Sequence, residues 1–271
     1  MKAEEIKQLT NKAIAELVAA LESGHSEALT AYLKTMSLFS RYSLHNLFLI
    51  AMQRPDARRV AGYQTWHRLG RQVRKGEKAI AIIAPVLRRK ADQELNDSEN
   101  ERVVSGFRVA HIFSEEQTDG EPLPELGTVT GDSSAYFERL RRYIAEQNIA
   151  LEYSEEIAPA KGTAVPGKIT LLPGQTAAEM FSTCVHELAH CCLHQDARRA
   201  ETTKRVRETE AEAVAFVVSN AIGLGTGTAS QDYVGLYGGD AKLLLESLEH
   251  IQQTASRILA AIVPENRATP D

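Results

Sequence analysis

Thr183-Cys184-Val185-His186-Glu187-Leu188-Ala189-His190-Cys191-Cys192-Leu193-His194 is the stretch that decides how this chain of 271 residues reads. It carries a His-Glu-x-x-His pattern at His186, Glu187 and His190. Residues four apart lie one above the other on a helix face. The two imidazoles therefore point at one metal ion, zinc by the donor types, and Glu187 stands beside them, placed to take a proton from a water at that metal. Val185, Leu188, Ala189 and Leu193 give the helix an apolar side to bury, and no Gly or Pro interrupts the run.

Such a site needs a third protein ligand. A second helix is predicted over Thr203 to Ile222, with Glu208, Glu210 and Glu212 near its start. Glu210 stacks with Val214 and Val217 on the apolar face, which is taken as the face that packs on the metal helix, so Glu210 is the expected ligand. Glu212, which leads to Phe216, is the alternative, and Glu208 is offset toward Ala211 and Ala215. Two His, one Glu and an open position describe a catalytic zinc better than a structural one. His194, one turn beyond His190, is expected beside the ligands or exposed. The three cysteines, Cys184, Cys191 and Cys192, crowd this helix, and Cys191 points about 100° away from His190, so they read as buried thiols in a reducing compartment.

Outward from the motif, a strand over Gly167 to Pro173 precedes the helix. Its edge is expected to pair with an extended peptide and lay a scissile bond across the metal. Leu151 to Tyr153 reads as a short strand and Ser133 to Gln147 as a helix, after a linker near Leu126 to Asp132. Downstream, Tyr233 to Asp240 forms a compact Gly-rich loop. Tyr233 either packs beneath it or reaches the site to stabilise an oxyanion. An amphipathic helix from about Asp240 to Ile262 closes the chain before a polar tail.

The N-terminal half reads differently. Amphipathic helices are predicted over Glu4 to Glu22, Ser26 to Thr35 and Leu44 to Gln53. A short helix with the single tryptophan, Trp66, leads into a Gly-punctuated basic loop. Strands follow over Ala79 to Val86 and Gly106 to Phe113, joined by a polar loop from Arg88 to Glu101. Net charge is −5, yet Arg54 to Lys90 holds eleven basic residues against two acidic ones. That asymmetry points to a polyanion partner. Trp66 with Arg71, Arg74, Lys75 and Lys78 is the aromatic and basic mix of a surface for single-stranded nucleic acid, where bases stack and cations track phosphates. Against this stands the ordinary fate of a lone Trp, which is the core. No apolar run approaches the ~20 residues of a membrane span, and the charged start lacks a secretory segment, so a cytoplasmic protein with no membrane contact is expected. The whole reads as α+β in two domains, residues 1–125 and 126–271.

With those residues in hand, the chain resembles the ArdC-type antirestriction proteins of plasmids and other mobile elements. In the N-terminal half the resemblance rests on Tyr42-Ser43 with Asn46, Trp66, Leu69-Gly70, Val73, Lys75-Gly76-Glu77, Ala84-Pro85, Gly106-Phe107, Phe113, Gln117-Thr118 and Gly120. In the C-terminal half it rests on His186-Glu187 and His190, on Glu208, Glu210-Ala211-Glu212 and Val214-Ala215, and on the Tyr233 to Asp240 loop. The resemblance implies a single-stranded-DNA-binding domain of helices and a small antiparallel sheet. It implies next a zincin-like metallopeptidase domain, shared with the ImmA/IrrE group, with Zn2+ at His186, His190 and a Glu. Single-stranded DNA and a protein substrate are the implied partners, and protection of incoming DNA from restriction is the implied role.

Overall fold

A computed structural model describes residues 3–89, 102–123, 133–224 and 241–264. The contacts divide the chain into two units, Met1–Ala13 with Phe48–Glu121, and Ile14–Leu47 with Pro122–Ala268. Ile14–Leu47 thus groups with the C-terminal residues, whereas a single cut near residue 125 assigns it to the N-terminal ones. Helices and small sheets are mixed, the α+β class expected. The Arg88 to Glu101 loop beyond residue 89, the 126–132 linker, the Tyr233 loop and the tail beyond residue 264 lie outside the described residues.

The first helices are α1 (Ala3–Glu22), α2 (Ser26–Leu38) and α3 (Leu44–Gln53). In the first unit β1 (Val60–Gly62), β3 (Ile80–Arg89) and β4 (Arg102–Ser114) form an antiparallel sheet in the order β1-β4-β3, with α4 (Tyr63–Arg68) following β1. Ala81 packs with Ile6 and Leu49, and the half-buried Leu9, Ile83 and Val109 close around them. Gln53 acts as a short extension of the sheet, since its Nε2 donates to Ala81 O and its Oε1 accepts from Ala81 N, both at 2.9 Å. That satisfies backbone groups the strand would otherwise leave unpaired.

A second ribbon pairs β2 (Arg71–Val73) with β5 (Thr118–Gly120). Gly120 has φ 141°, and a Cβ there would fall 2.3 Å from Gly70 O, so no other residue fits that crossing,. Trp66 is 1% exposed and its Nε1 donates to Phe113 O at 2.9 Å. The tryptophan is a core anchor.

In the second unit α5 (Ser133–Glu146) leads to β6 (Ala150–Tyr153), β7 (Gly162–Val165) and β8 (Lys168–Leu171). Their order is β6-β8-β7, with β6 parallel and β7 antiparallel to β8. The strand expected to offer an open edge, β8, is therefore the central one, and Ile169, Thr170 and Leu171 are buried. β7 takes the edge. Its four residues lack the apolar run by which a strand is recognised in sequence.

The remaining helices are α6 (Ala177–Leu193), α7 (Asp196–Glu201), α8 (Lys204–Ala221) and α9 (Ala241–Ile262). α6 packs on α8, and α8 on α9 and α2. Phe181, Val185 and Leu188 from α6, Val214, Val217 and Val218 from α8, and Leu248 and Ile251 from α9 are almost wholly buried. No helix among the described residues is long and apolar enough to cross a membrane.

α6 starts where its sequence dictates. Thr176 accepts from the backbone N–H of Glu179 at 3.3 Å, and Glu179 in return accepts from the Thr176 N–H at 3.1 Å. Lys161 reaches the same carboxylate at 2.8 Å. The Lys161 ammonium, first, and the Thr176 hydrogen bonds hold Glu179 down at about 2. Thr176→Ala should lower unfolding free energy by about 1 kcal/mol in urea titration. An NMR titration should place Glu179 near 2. Its contribution should be complete above the ordinary carboxylate value of about 4.3, and lost as pH falls toward 2. A normal titration midpoint would disprove the box.

Candidate metal centre

α6 sets His186 and His190 on one face, with ring centroids 4.8 Å apart and Nε2 atoms 3.1 Å apart. Glu208, in the first turns of α8, brings its Oε2 to 3.6 Å from each of those nitrogens. The three atoms make a nearly regular triangle. A point equidistant from all three lies about 2.0 Å from each, which matches Zn–N and Zn–O bonds of about 2.0–2.2 Å. Among the described residues these three donors form the cluster fit to hold a metal ion. The donors fit a divalent cation.

Electrostatics favour the ligating forms. Burial, opposed by the Glu208 carboxylate, pushes the His186 pKa down. Burial, with the neighbouring His186, pushes His190 down to about 4. Both rings are neutral at pH 7, with lone pairs to offer a cation. Glu187 is almost completely buried, and burial, reinforced by the charge of Glu208, raises it to about 7. The β7 backbone limits its position. A Cβ at Gly162 would lie 2.8 Å from Glu187 Cγ and 2.9 Å from its Oε1. Gly162 is thus the space in which the Glu187 side chain lies.

Glu210, the ligand expected from sequence, lies elsewhere. It is 0% exposed, accepts from His194 Nε2 at 2.9 Å and is bound by Arg198 Nη2 at 2.5 Å. Burial alone would raise its pKa, but the His194 hydrogen bond and the Arg198 charge outweigh burial and lower it. Two residues apart on a helix point about 200° apart, so Glu208 and Glu210 occupy different sides of α8. The most apolar face of α8 turns Glu210 toward His194 and Arg198 and away from the His186 and His190 Nε2 atoms. A cation open to a substrate sits at the rim of the helix pair, where Glu208 is 46% exposed. Glu212 is exposed. The sequence signal that points to Glu208 is its position near the solvent-facing start of α8.

His194 is buried, and its Nδ1 lies 2.9 Å from His190 Nδ1. Cys184 and Cys191 are buried free thiols, raised by burial to about 12 and about 11, while Cys192 is half-buried. They remain protonated at neutral pH and so are poor ligands.

In the other unit the expected DNA-contacting residues have divergent fates. Trp66 is enclosed. Arg71 is committed to the β2–β5 ribbon, donating to Thr118 Oγ1 at 2.8 Å and to Glu121 O at 2.5 Å. Arg74 binds Glu77 and Asp119 at 2.9 and 3.3 Å. Lys75 and Lys78 are exposed. A surface pocket of about 590 Å³ includes Tyr63, Gln72, Lys75 and Phe113 in its wall. Phe107, on β4, is 73% exposed.

Residues 3–114 match the family model of the N-terminal domain of anti-restriction factor ArdC. The chain is 24% identical over 304 residues to the uncharacterized protein pXO2-81 of Bacillus anthracis, a match that takes in 96% of this chain. It spans about half, 51%, of that relative's length. The fold is similar to the metal-free crystal structure of antirestriction ArdC from plasmid R388, with TM-score 0.53 and 21% identity over 97% of this chain and 99% of that one. The Mn(II)-bound crystal structure of the same protein aligns with TM-score 0.46 and 19% identity, over 82% of this chain and 89% of that one. Residues 3–114 are thus similar to the N-terminal domain of ArdC, and the fold of nearly the whole chain is similar to that of ArdC.

Proposed function

We propose that this is an antirestriction-type protein that binds single-stranded DNA and carries a zinc-dependent, peptidase-like hydrolytic centre. The observation that carries the hydrolytic part is the triangle of His186, His190 and Glu208 with Glu187 alongside. His186, His190 and Glu208 hold the ion. Bound there, zinc supplies Lewis acidity toward a carbonyl and makes water more acidic. Glu187 takes the proton from the attacking water and passes it to the leaving amine, as a carboxylate near neutral pKa is suited to do. The edge of β7, next to Glu187 through Gly162, is where an extended peptide chain adds. The reading of the centre as zincin-like rests on this arrangement.

Glu208→Gln should weaken zinc binding by more than tenfold, measured by competition with a chromophoric chelator. Glu187→Gln should leave zinc affinity within about twofold and abolish hydrolysis of a casein or peptide-library substrate. If the unaltered protein cleaves nothing while zinc binds tightly and raises its melting temperature, the ion is structural, and the protein acts through DNA binding alone.

For the DNA-binding part, the ArdC N-terminal domain and the exposed Lys75, Lys78 and Phe107 support the reading. Tyr63 and Phe113 offer ring surface at the pocket that Lys75 borders. Binding of a labelled ~20-mer should favour single strands over duplex and weaken steeply as salt rises from about 50 to 200 mM. Phe107→Ala should cost about 1–3 kcal/mol of binding as a lost stacking platform. Replacing Lys75 and Lys78 together by Ala should flatten the salt dependence. Trp66→Ala should instead destabilise the fold by about 3–5 kcal/mol in chemical denaturation. Unchanged binding in both surface variants would remove this face from the DNA site.

A further inference from the structure

Behind the metal triangle a line of polar groups runs into the core between α6, α7 and α8. His190 Nδ1 lies 2.9 Å from His194 Nδ1. His194 Nε2 lies 2.9 Å from Glu210 Oε2, and Arg198 Nη2 lies 2.5 Å from Glu210 Oε1. The His194 and Glu210 side chains have no solvent exposure at all. The proton placement along this line follows by elimination. A carboxylate matched by a guanidinium only accepts hydrogen bonds, so the proton of His194 is on Nε2. That leaves His194 Nδ1 as the nitrogen turned to His190. A lone pair there accepts from His190 Nδ1, which places the His190 proton on Nδ1. His190 Nε2 is left as the lone pair, and it is the atom that faces His186 and Glu208.

We propose that Arg198, Glu210 and His194 are positioning residues that hold His190 in the one tautomer able to ligate a cation. This rests on the metal reading for its purpose, though not for the proton order itself.

The test uses the full chain with ¹⁵N-labelled histidine, metal-free and zinc-loaded, read by long-range ¹H–¹⁵N correlation of the ring nitrogens at neutral pH. The protein should show His190 protonated at Nδ1 and His194 at Nε2, both without and with zinc. Glu210→Gln should mix the His190 and His194 tautomers and weaken zinc binding by about 10- to 100-fold, the usual effect of losing a partner behind a ligand. The opposite order, with His194 doubly protonated and His190 protonated at Nε2, would overturn the proposal in the unaltered protein alone, whether or not the variant folds. So would a folded Glu210→Gln protein with unaltered tautomers and zinc affinity. Failure of the unaltered protein to bind zinc, with the proton order as described, would overturn the metal reading and uphold the positioning line.

Discussion

The α6–α8 interface has to bury two kinds of surface at once. Most of it is the apolar packing of Phe181, Val185 and Leu188 against Val214, Val217 and Val218, and that packing fixes the relative height of the two helices. At one margin the same interface carries His186, His190, His194, Glu208 and Glu210. A buried charge without a partner costs several kcal/mol, so each polar group must find its match at the height the apolar contacts dictate. Glu210 does so with Arg198 from α7 and with His194 at the C-terminal end of α6. Glu208, at the rim, does so among the described residues only with the two histidine nitrogens. The carboxylate left half in water is the one with an open side, which is the property a cation site requires.

The neighbouring sheet obeys a related constraint. β8 is sandwiched between β6 and β7, which places the small residue Gly162 of β7 against Glu187 and Thr183 of α6. A side chain at residue 162 would need the volume that Glu187 occupies. Tight apposition of a strand backbone to the helix is what withdraws Glu187 from water, and that withdrawal raises its pKa toward neutrality. The glycine and the basicity of the glutamate are thus two aspects of one packing decision.

How much of this the sequence disclosed depended on the range of the interaction. His186, Glu187 and His190 were legible because their geometry is internal to a single helix. The cap that starts α6, Thr176 with Glu179, is local in the same way. The third carboxylate was not, because choosing among Glu208, Glu210 and Glu212 needs the rotation of α8 about its own axis relative to α6. Hydrophobic periodicity reports only which side is most buried, and that side took Glu210 inward to Arg198. Trp66 failed in a similar way. Its basic neighbours suggested an exposed ring, but the amphipathic segment turned it to Phe113 O, and Arg71 and Arg74 went to tie the β2–β5 ribbon together. β7 escaped notice because Gly162–Val165 becomes a strand only through its pairing with β8.

The contrast between Glu208 and Glu210 shows why burial alone is a poor guide to a ligand. A metal ligand and the group that orients it share a composition, carboxylate or imidazole, and both lie on the inner side of a helix. They differ in what else they touch. Glu210 already has two strong partners, so binding a cation would require it to give up a guanidinium held in a water-free site. Among the described residues Glu208 Oε2 has only the two imidazoles beside it, and those are the groups a cation would draw together. Removing a cation from Glu208 returns it to water at little cost, whereas Glu210 has no water to return to. On the proposed metal reading, the exposed member of the carboxylate pair is the exchangeable ligand and the enclosed member the fixed support, a division that follows from solvation.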